Sequence, residues 1–172
     1  MSSDTRFGVF LALTFEDTIY KDYDHVPKEV QERKFQNLLI TLREDGYFGF
    51  IGGTADPGES ELECLARECY EEGNLLLNFD SAMPTRVSEH ALSDGFRVIL
   101  YHLAITKEEA KSIIKWSAEA DHFFTETAGF VSVACINRSH FNHNNFLPLV
   151  KLQLGELGRL INDKTLQTWA TA

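Results

Sequence analysis

Glu68, Glu71 and Glu72 stand three and four positions apart, the spacing that brings side chains to one face of an α-helix. Three carboxylates held so close repel one another. The repulsion turns to attraction when a hard divalent cation sits among them, and oxygen donors of this kind suit Mg²⁺ or Mn²⁺. An isolated Glu-x-x-Glu-Glu is more often a solvated acidic face, but here it has company. Gly52 and Gly53 lie upstream, then Glu59, then Arg67 directly before the first glutamate, with Gly73, Asn74 and Leu75 directly after the last.

The elements around these residues are arranged to position them. Leu62, Leu65, Ala66 and Cys69 form an apolar stripe, which predicts an amphipathic helix packed on a core by one side and presenting charge on the other. Pro57 and Gly58 precede it, and Gly73-Asn74 stops it, since both residues tolerate the left-handed conformation of a helix end. Gly52-Gly53 follow the apolar run 47–51, where glycines let main-chain groups approach a ligand closely.

Taken together, Gly53, Glu59, Arg67, Glu68, Glu71, Glu72 and the turn pair resemble the Nudix box of the pyrophosphohydrolase family. Every acidic position is present. Asn74 stands where the family normally has glycine, a mild departure because asparagine is next-best in that conformation. The resemblance implies an α/β fold, the Nudix α/β/α sandwich with a mixed β-sheet and a loop-helix-loop catalytic motif, formed by residues 1–172 as a single domain with the box at 53–75. It also implies that Glu68, Glu71 and Glu72 hold two or more Mg²⁺ (or Mn²⁺) ions, with Gly53 adding its carbonyl oxygen. Glu59 and Arg67 would fix the motif through a salt bridge rather than touch substrate, beside the structural Gly52. The general base would be a box glutamate or a carboxylate from a distant loop. Glu126 is the candidate for the latter, with Glu119, Asp121 and His122 as rivals.

The whole chain sets limits on partners. With 172 residues, 44% hydrophobic and 12% aromatic, it can bury a sizeable core as one domain. No stretch reaches the roughly 20 apolar residues of a membrane span, and the start 1–6 lacks a signal-peptide pattern, so an intracellular, cytoplasmic protein is expected. Cys64, Cys69 and Cys135 are odd in number and without metal-site spacing, and are read as reduced core thiols. A formal charge of −10 argues against a basic groove for long polynucleotides. A small phosphorylated substrate carried with its metal fits better.

Along the chain, strands are expected over 6–15, 37–42, 96–105 and 126–133, with a short one at 75–79. Asp45-Gly46 signals a hairpin turn. The polar segment 16–34 is expected as a loop with a short helix from Pro27. Thr106 to Glu109 is a capping box opening a helix to about 118, with Ala110, Ile113 and Ile114 as its apolar stripe. A closing helix is expected over 148–162, with Val150, Leu154, Leu157 and Ile161 on one face.

Beyond the box, the stretches 39–50, 88–104, 121–122, 126–133 and 141–147 are similar to the branch of Nudix enzymes that decaps nucleolar RNA and hydrolyses inosine diphosphate. That branch is dimeric, which implies a homodimer, and its matching arginine puts Arg43 at the nucleotide site, for a phosphate or base contact. Thr54 and Phe10 replace an aromatic residue and a histidine of its base pocket, so its purine preference is not carried over. Phe10 or Phe50 offers a stacking face, or serves as an ordinary core aromatic. The His140-x-x-His143 pair is read as loop chemistry.

Three functions follow as expectations. The first is hydrolysis of a nucleoside diphosphate linked to another group, as in ADP-ribose, dinucleotide cofactors, dinucleoside polyphosphates or nucleoside diphosphates. The second is removal of a 5′ cap from RNA, of m7G or NAD type, which would need Lys28, Arg33, Lys34, Arg43, Arg86 and Arg97 to converge as a basic track. The third is a nucleotide sensor without hydrolysis.

Overall fold

Alternation along the first strand explains the layers. In the computed structural model, which describes residues 6–20, 32–43, 45–121, 127–134 and 146–171, strand β1 (Phe7–Tyr20) sends Val9, Leu11, Leu13 and Phe15 to one side and Ala12 to the other. Period-two side chains of this kind give a sheet two apolar faces, each of which needs a helical cover. The first face packs on α1 (Glu61–Gly73) and α2 (Lys107–Trp116) through Cys64, Leu65, Cys69, Ala110 and Ile113. The second packs on α3 (Pro148–Leu160), α4 (Lys164–Gln167) and the following 3₁₀ turn through Leu154, Leu157, Leu166 and Trp169. The fold is therefore the expected α/β/α sandwich.

The sheet is mixed. Its other strands are β2 (Glu32–Arg43), β3 (Phe48–Gly49), β4 (Ile51–Thr54), β5 (Thr85–Ala91), β6 (Arg97–Ala104) and β7 (Thr127–Ala134). The order runs β3-β2-β1-β6-β5, with β4 also on β1 and β7 also on β2. Only β1 and β6 pair in parallel among these strands, with Leu11 opposite Tyr101. Strand β1 meets β2 through one half of its length and β4 through the other, Leu13 facing Leu39 and Phe10 facing Gly52. This double pairing brings the glycine strand against the middle of the sheet.

Several expectations need correction. The two ends of the segment 16–34 that are described, 16–20 and 32–34, are strand rather than loop, since β1 and β2 continue their antiparallel pairing with Glu16 opposite Gln36 and Tyr20 opposite Glu32. Polar residues can pair their backbones beyond the edge of a core without burying side chains. The helix from Pro27 falls outside the described residues. No strand forms at 75–79: Leu75 and Leu77 pack on the core in alternation, but the Leu75 N–H is used on Cys69 O at 3.0 Å to close the helix end. Ala110 and Ile113 are buried as expected, but Ile114 is exposed and Ser117 is buried in its place. Strand β5, an edge with mixed polar composition, and the short α4 were not anticipated. No described helix is long and apolar enough to cross a membrane. Cys64 and Cys69 are free and buried, as expected, and Cys135 lies outside the described residues.

Candidate active site

Gly52 and Gly53 are required by close approach. Gly52 has φ +138°, and a Cβ there would stand 2.1 Å from the Val9 carbonyl oxygen, so only glycine fits without strain. A Cβ on Gly53 would stand 2.5 Å from the Glu68 carboxylate. The strand is thus smooth where α1 lays its carboxylates across it.

Helix α1 is fixed at both ends. Ser60 caps its start in a capping box with Glu63, and Asn74 ends it at φ 50°, ψ 33° with its N–H directed to carbonyls of the last turn. The expected stripe is only half right: Leu65 and Cys69 are buried, while Cys64 rather than Leu62 or Ala66 completes the packed side. The charged side does not face open solvent either. Glu68 is 7% exposed and Glu72 8%, because both lie over the glycine strand, and the Gly52 N–H donates to Glu72 Oε2 at 3.0 Å.

Arg67 organises the remaining carboxylates. Its Nε and Nη2 grip Glu59 at 2.8 and 3.0 Å, as the box resemblance implied. Nη2 also donates to the Thr54 carbonyl at 2.9 Å, and Nη1 to Glu68 at 2.9 Å and Glu71 at 3.0 Å. The guanidinium holds the Glu59 carboxyl below its ordinary range, and Glu59 in turn raises Arg67. Burial, with the Glu59 and Glu68 charges behind it, pushes the Cys64 thiol up to about 12. A thiol so far from ionising is no nucleophile.

These side chains surround an open cavity of about 670 Å³ lined by Glu68, Glu71, Glu72, Gly52, Gly53, Arg67, Arg43, Phe50 and Phe10, together with Thr41, Thr54, Asp45 and Asp56. Five carboxylates thus face two guanidiniums. The Arg43 guanidinium enters from the β2–β3 turn, paired with Asp45 through Nε at 3.3 and 3.2 Å and Nη2 at 3.0 Å, and it holds the Asp45 carboxyl below its ordinary range. Phe10, Arg43, Phe50 and Thr54 also line a second, apolar slot of about 160 Å³, closed by Phe48, Phe96 and Gln153 among others.

Gln153 is the residue that sequence reasoning missed. It is 2% exposed, on α3, and its amide Nε2 has no hydrogen-bond partner among the described residues. Buried amides ordinarily find partners, so an orphan donor beside a slot asks for a ligand atom. A glutamine directly before the buried Leu154 and one turn before Leu157 reads in sequence as a helix surface residue, and no local signal distinguishes it.

Glu119 and Asp121 are exposed and do not line the cavity. Glu126, His122, His140 and His143 lie outside the described residues. His90 is paired with Glu156 at 2.9 Å and His102 with Thr14 at 2.7 Å, both away from the cavity lining.

The donor set suits a hard divalent cation: carboxylates of Glu68, Glu71 and Glu72, with the Gly53 main chain against Glu68. Among the described residues no three His, Cys, Asp or Glu side chains are gathered as a ready cluster; Arg67 holds Glu68 and Glu71, and the Gly52 N–H holds Glu72. The carboxylate donors fit such a cation in chemistry, whereas as placed they are committed to hydrogen bonds with Arg67 and Gly52.

A family model described as Nudt16-like, U8 snoRNA-decapping enzyme-like, matches residues 18–156. The chain belongs to this family. The Nudt16-like chain is 30% identical over 96 residues to a U8 snoRNA-decapping enzyme of Homalodisca vitripennis, a match covering 55% of this chain and 51% of that protein. It therefore spans about half the length of that curated relative. A mutT/nudix family protein from Listeria innocua has a TM-score of 0.49 at 14% identity, covering 75% of this chain and 78% of that one. The NUDIX domain of Shewanella oneidensis NrtR complexed with ADP ribose has a TM-score of 0.39 at 16% identity, covering 58% and 60%. The family assignment of the Nudt16-like chain rests on the family model, not on these structural likenesses.

Proposed function

We propose that this chain, as a single domain with its box at 53–75, is a Mg²⁺- or Mn²⁺-dependent pyrophosphohydrolase that cleaves the diphosphate of a nucleoside diphosphate linked to another group. The observation that carries the reading is the joining of two spaces: an acidic cavity with two guanidiniums, and an aromatic slot with an unpaired buried amide. A diphosphate entering beside five carboxylates is repelled unless divalent cations accompany it. A nucleobase suits the slot by stacking and by one hydrogen bond from Gln153.

In this reading Glu68, Glu71, Glu72 and the Gly53 carbonyl hold the metal, which supplies charge neutralisation of the diphosphate and acidity to an attacking water. Glu59 anchors Arg67, and Arg43 contacts the phosphate nearest the slot. The water oxygen bonds to one phosphorus, the bond from that phosphorus to the bridging oxygen breaks, and the electron pair leaves on the other phosphate. The proton of the water passes to a carboxylate, from the box or from Glu126.

The RNA-decapping reading draws on the family description and on the Homalodisca relative. The basic track it requires is not supported among the described residues: Arg43 is paired with Asp45, Arg86 with Glu61 and Glu89, and Arg97 with Glu89. Lys28 lies outside the described residues, as do the side chains of Arg33 and Lys34. A homodimer, implied by the family branch, belongs to this proposal and is checked by sedimentation.

The test is mass spectrometry of products from ADP-ribose, NADH, FAD, dinucleoside polyphosphates, IDP, GDP and capped RNA with Mg²⁺ or Mn²⁺. Cleavage of one small-molecule class supports the leading reading, preferential cleavage of capped RNA moves the function to decapping, and metal-dependent binding without product leaves a sensor.

A further inference from the structure

Arg43 and Asp45 sit where the two spaces meet. Arg43 lines both the acidic cavity and the aromatic slot, whereas Asp45 lines the cavity alone. The pair is formed within one turn: the Gly46 N–H donates to Arg43 O at 3.0 Å, the Arg43 N–H to Tyr47 O at 2.9 Å, and the Tyr47 N–H to Asp45 Oδ1 at 3.1 Å. Gly46 supplies the positive φ of 81° that lets the turn close. The Asp45 carboxylate is thereby fixed by the backbone before it meets the guanidinium.

The side chains of Arg43 and Asp45 are 47% and 42% exposed, and an ion pair in that setting adds little stability. Its effect is on order. A free arginine carries several rotatable bonds, and stopping them on binding costs affinity. Here Nε and Nη2 are already spent on Asp45, while Nη1 stays outside the pair and has no carboxylate partner among the described residues. The backbone-fixed carboxylate holds the fork in one plane at the boundary between the cavity and the slot.

We propose that Asp45 is a positioning residue for nucleotide recognition, ordering Arg43 in advance so that its guanidinium meets the phosphate of a nucleoside diphosphate whose base lies in the slot. The proposal rests on the hydrolase reading above for the role of Arg43. It opposes a second role of the same contact, in which the carboxylate competes with phosphate for the arginine. The two differ in sign: positioning means that neutralising Asp45 weakens nucleotide binding, and competition means that it strengthens it.

Asp45→Asn separates charge from turn geometry, because an asparagine oxygen can still accept the Tyr47 N–H. The experiment is calorimetric titration of ADP in the presence of Ca²⁺ into the wild type, Asp45→Asn, Asp45→Glu, Arg43→Ala and the double variant Arg43→Ala/Asp45→Asn, with thermal melting alongside. Positioning predicts binding weakened about 2- to 10-fold in Asp45→Asn, part of it restored in Asp45→Glu. It also predicts a double variant no weaker than Arg43→Ala alone, and melting temperatures that do not follow the affinities. Unchanged or tighter binding in Asp45→Asn, with weakened binding in Arg43→Ala, overturns the role of Asp45 and leaves the hydrolase reading in place. Undiminished binding in Arg43→Ala overturns both the proposal and the role of that arginine, and a wild type that does not bind ADP overturns the proposal together with the nucleotide reading.

Discussion

The Gly52 N–H donates to Glu72 Oε2 at 3.0 Å, so the carboxylate helix is tied directly to the backbone of the glycine strand. This bond, the 2.5 Å approach of the Gly53 Cβ position to Glu68 and the grip of Arg67 on Glu68 and Glu71 hold three negative charges over one short stretch of strand. The two glycines have different jobs, and their substitution separates them. Gly53→Ala meets only the carboxylate end of the Glu68 side chain, not backbone, so it should fold with little loss of stability and lower turnover about 100-fold by displacing Glu68. Gly52→Ala meets backbone at positive φ and should cost about 2 kcal/mol or more. Urea unfolding and steady-state kinetics on both variants check the contrast, and equal stability losses would count against it.

Glu68→Gln keeps the shape of the side chain and removes its charge. Turnover should fall about 10²–10³-fold or more, with a folded protein by circular dichroism. Near-normal activity in this variant would falsify the assignment of the box as the catalytic centre.

Arg67→Lys retains the charge but not the fork that reaches Glu59, Thr54, Glu68 and Glu71 together. We expect about 1–2 kcal/mol lost in stability and kcat lowered about 10- to 100-fold. A variant with normal kcat and lowered stability would confine Arg67 to holding the loop.

Gln153→Leu removes an orphan donor from the core. Its stability should be unchanged or raised by about 1–2 kcal/mol, while KM for the nucleotide substrate rises. A more stable protein with poorer substrate binding is the signature of a buried group kept for recognition. Unchanged KM across the substrate panel would remove Gln153 from the binding site.

Stability should also depend on His102. Burial holds its imidazole below the ordinary 6.5, next to Thr14 Oγ1 at 2.7 Å. As pH falls below that value the unfolded chain takes up the proton first. The contribution of the neutral histidine is therefore fully present above 6.5, declines below it, and levels off once the folded state is also protonated. Urea unfolding at about pH 7.5 and about pH 5.5 should show the wild type losing more stability between them than His102→Gln. Equal losses would show that the buried imidazole is not the cause.

Much of the protein was legible because its signals are local. Helix α1 and its Gly73-Asn74 stop, the capping box of α2, the hairpin turn at Asp45-Gly46 and the apolar strands each follow from residues within one or two turns of chain. So does the carboxylate cluster, since i, i+3 and i+4 positions share a face in any helix. The polar stretches 16–20 and 32–34 misled because polarity reports burial of side chains, whereas these strand ends are made by backbone pairing. The leucines at 75–77 misled for the converse reason: alternation was real, but the N–H that a strand would need closes a helix.

The sequence by itself determined the candidate centre: which residues carry the charge and which helix presents it. Only the tertiary structure decided what stands around that centre. The double pairing of β1 with β2 and β4 presses Gly52 and Gly53 under the glutamates, and α3, more than 90 residues from the glycines, lays the unpaired amide of Gln153 beside a slot that Phe50 and Arg43 share with the acidic cavity. Contacts of that sequence separation are set by the packing of layers on the two faces of a sheet, which no local pattern of residues encodes.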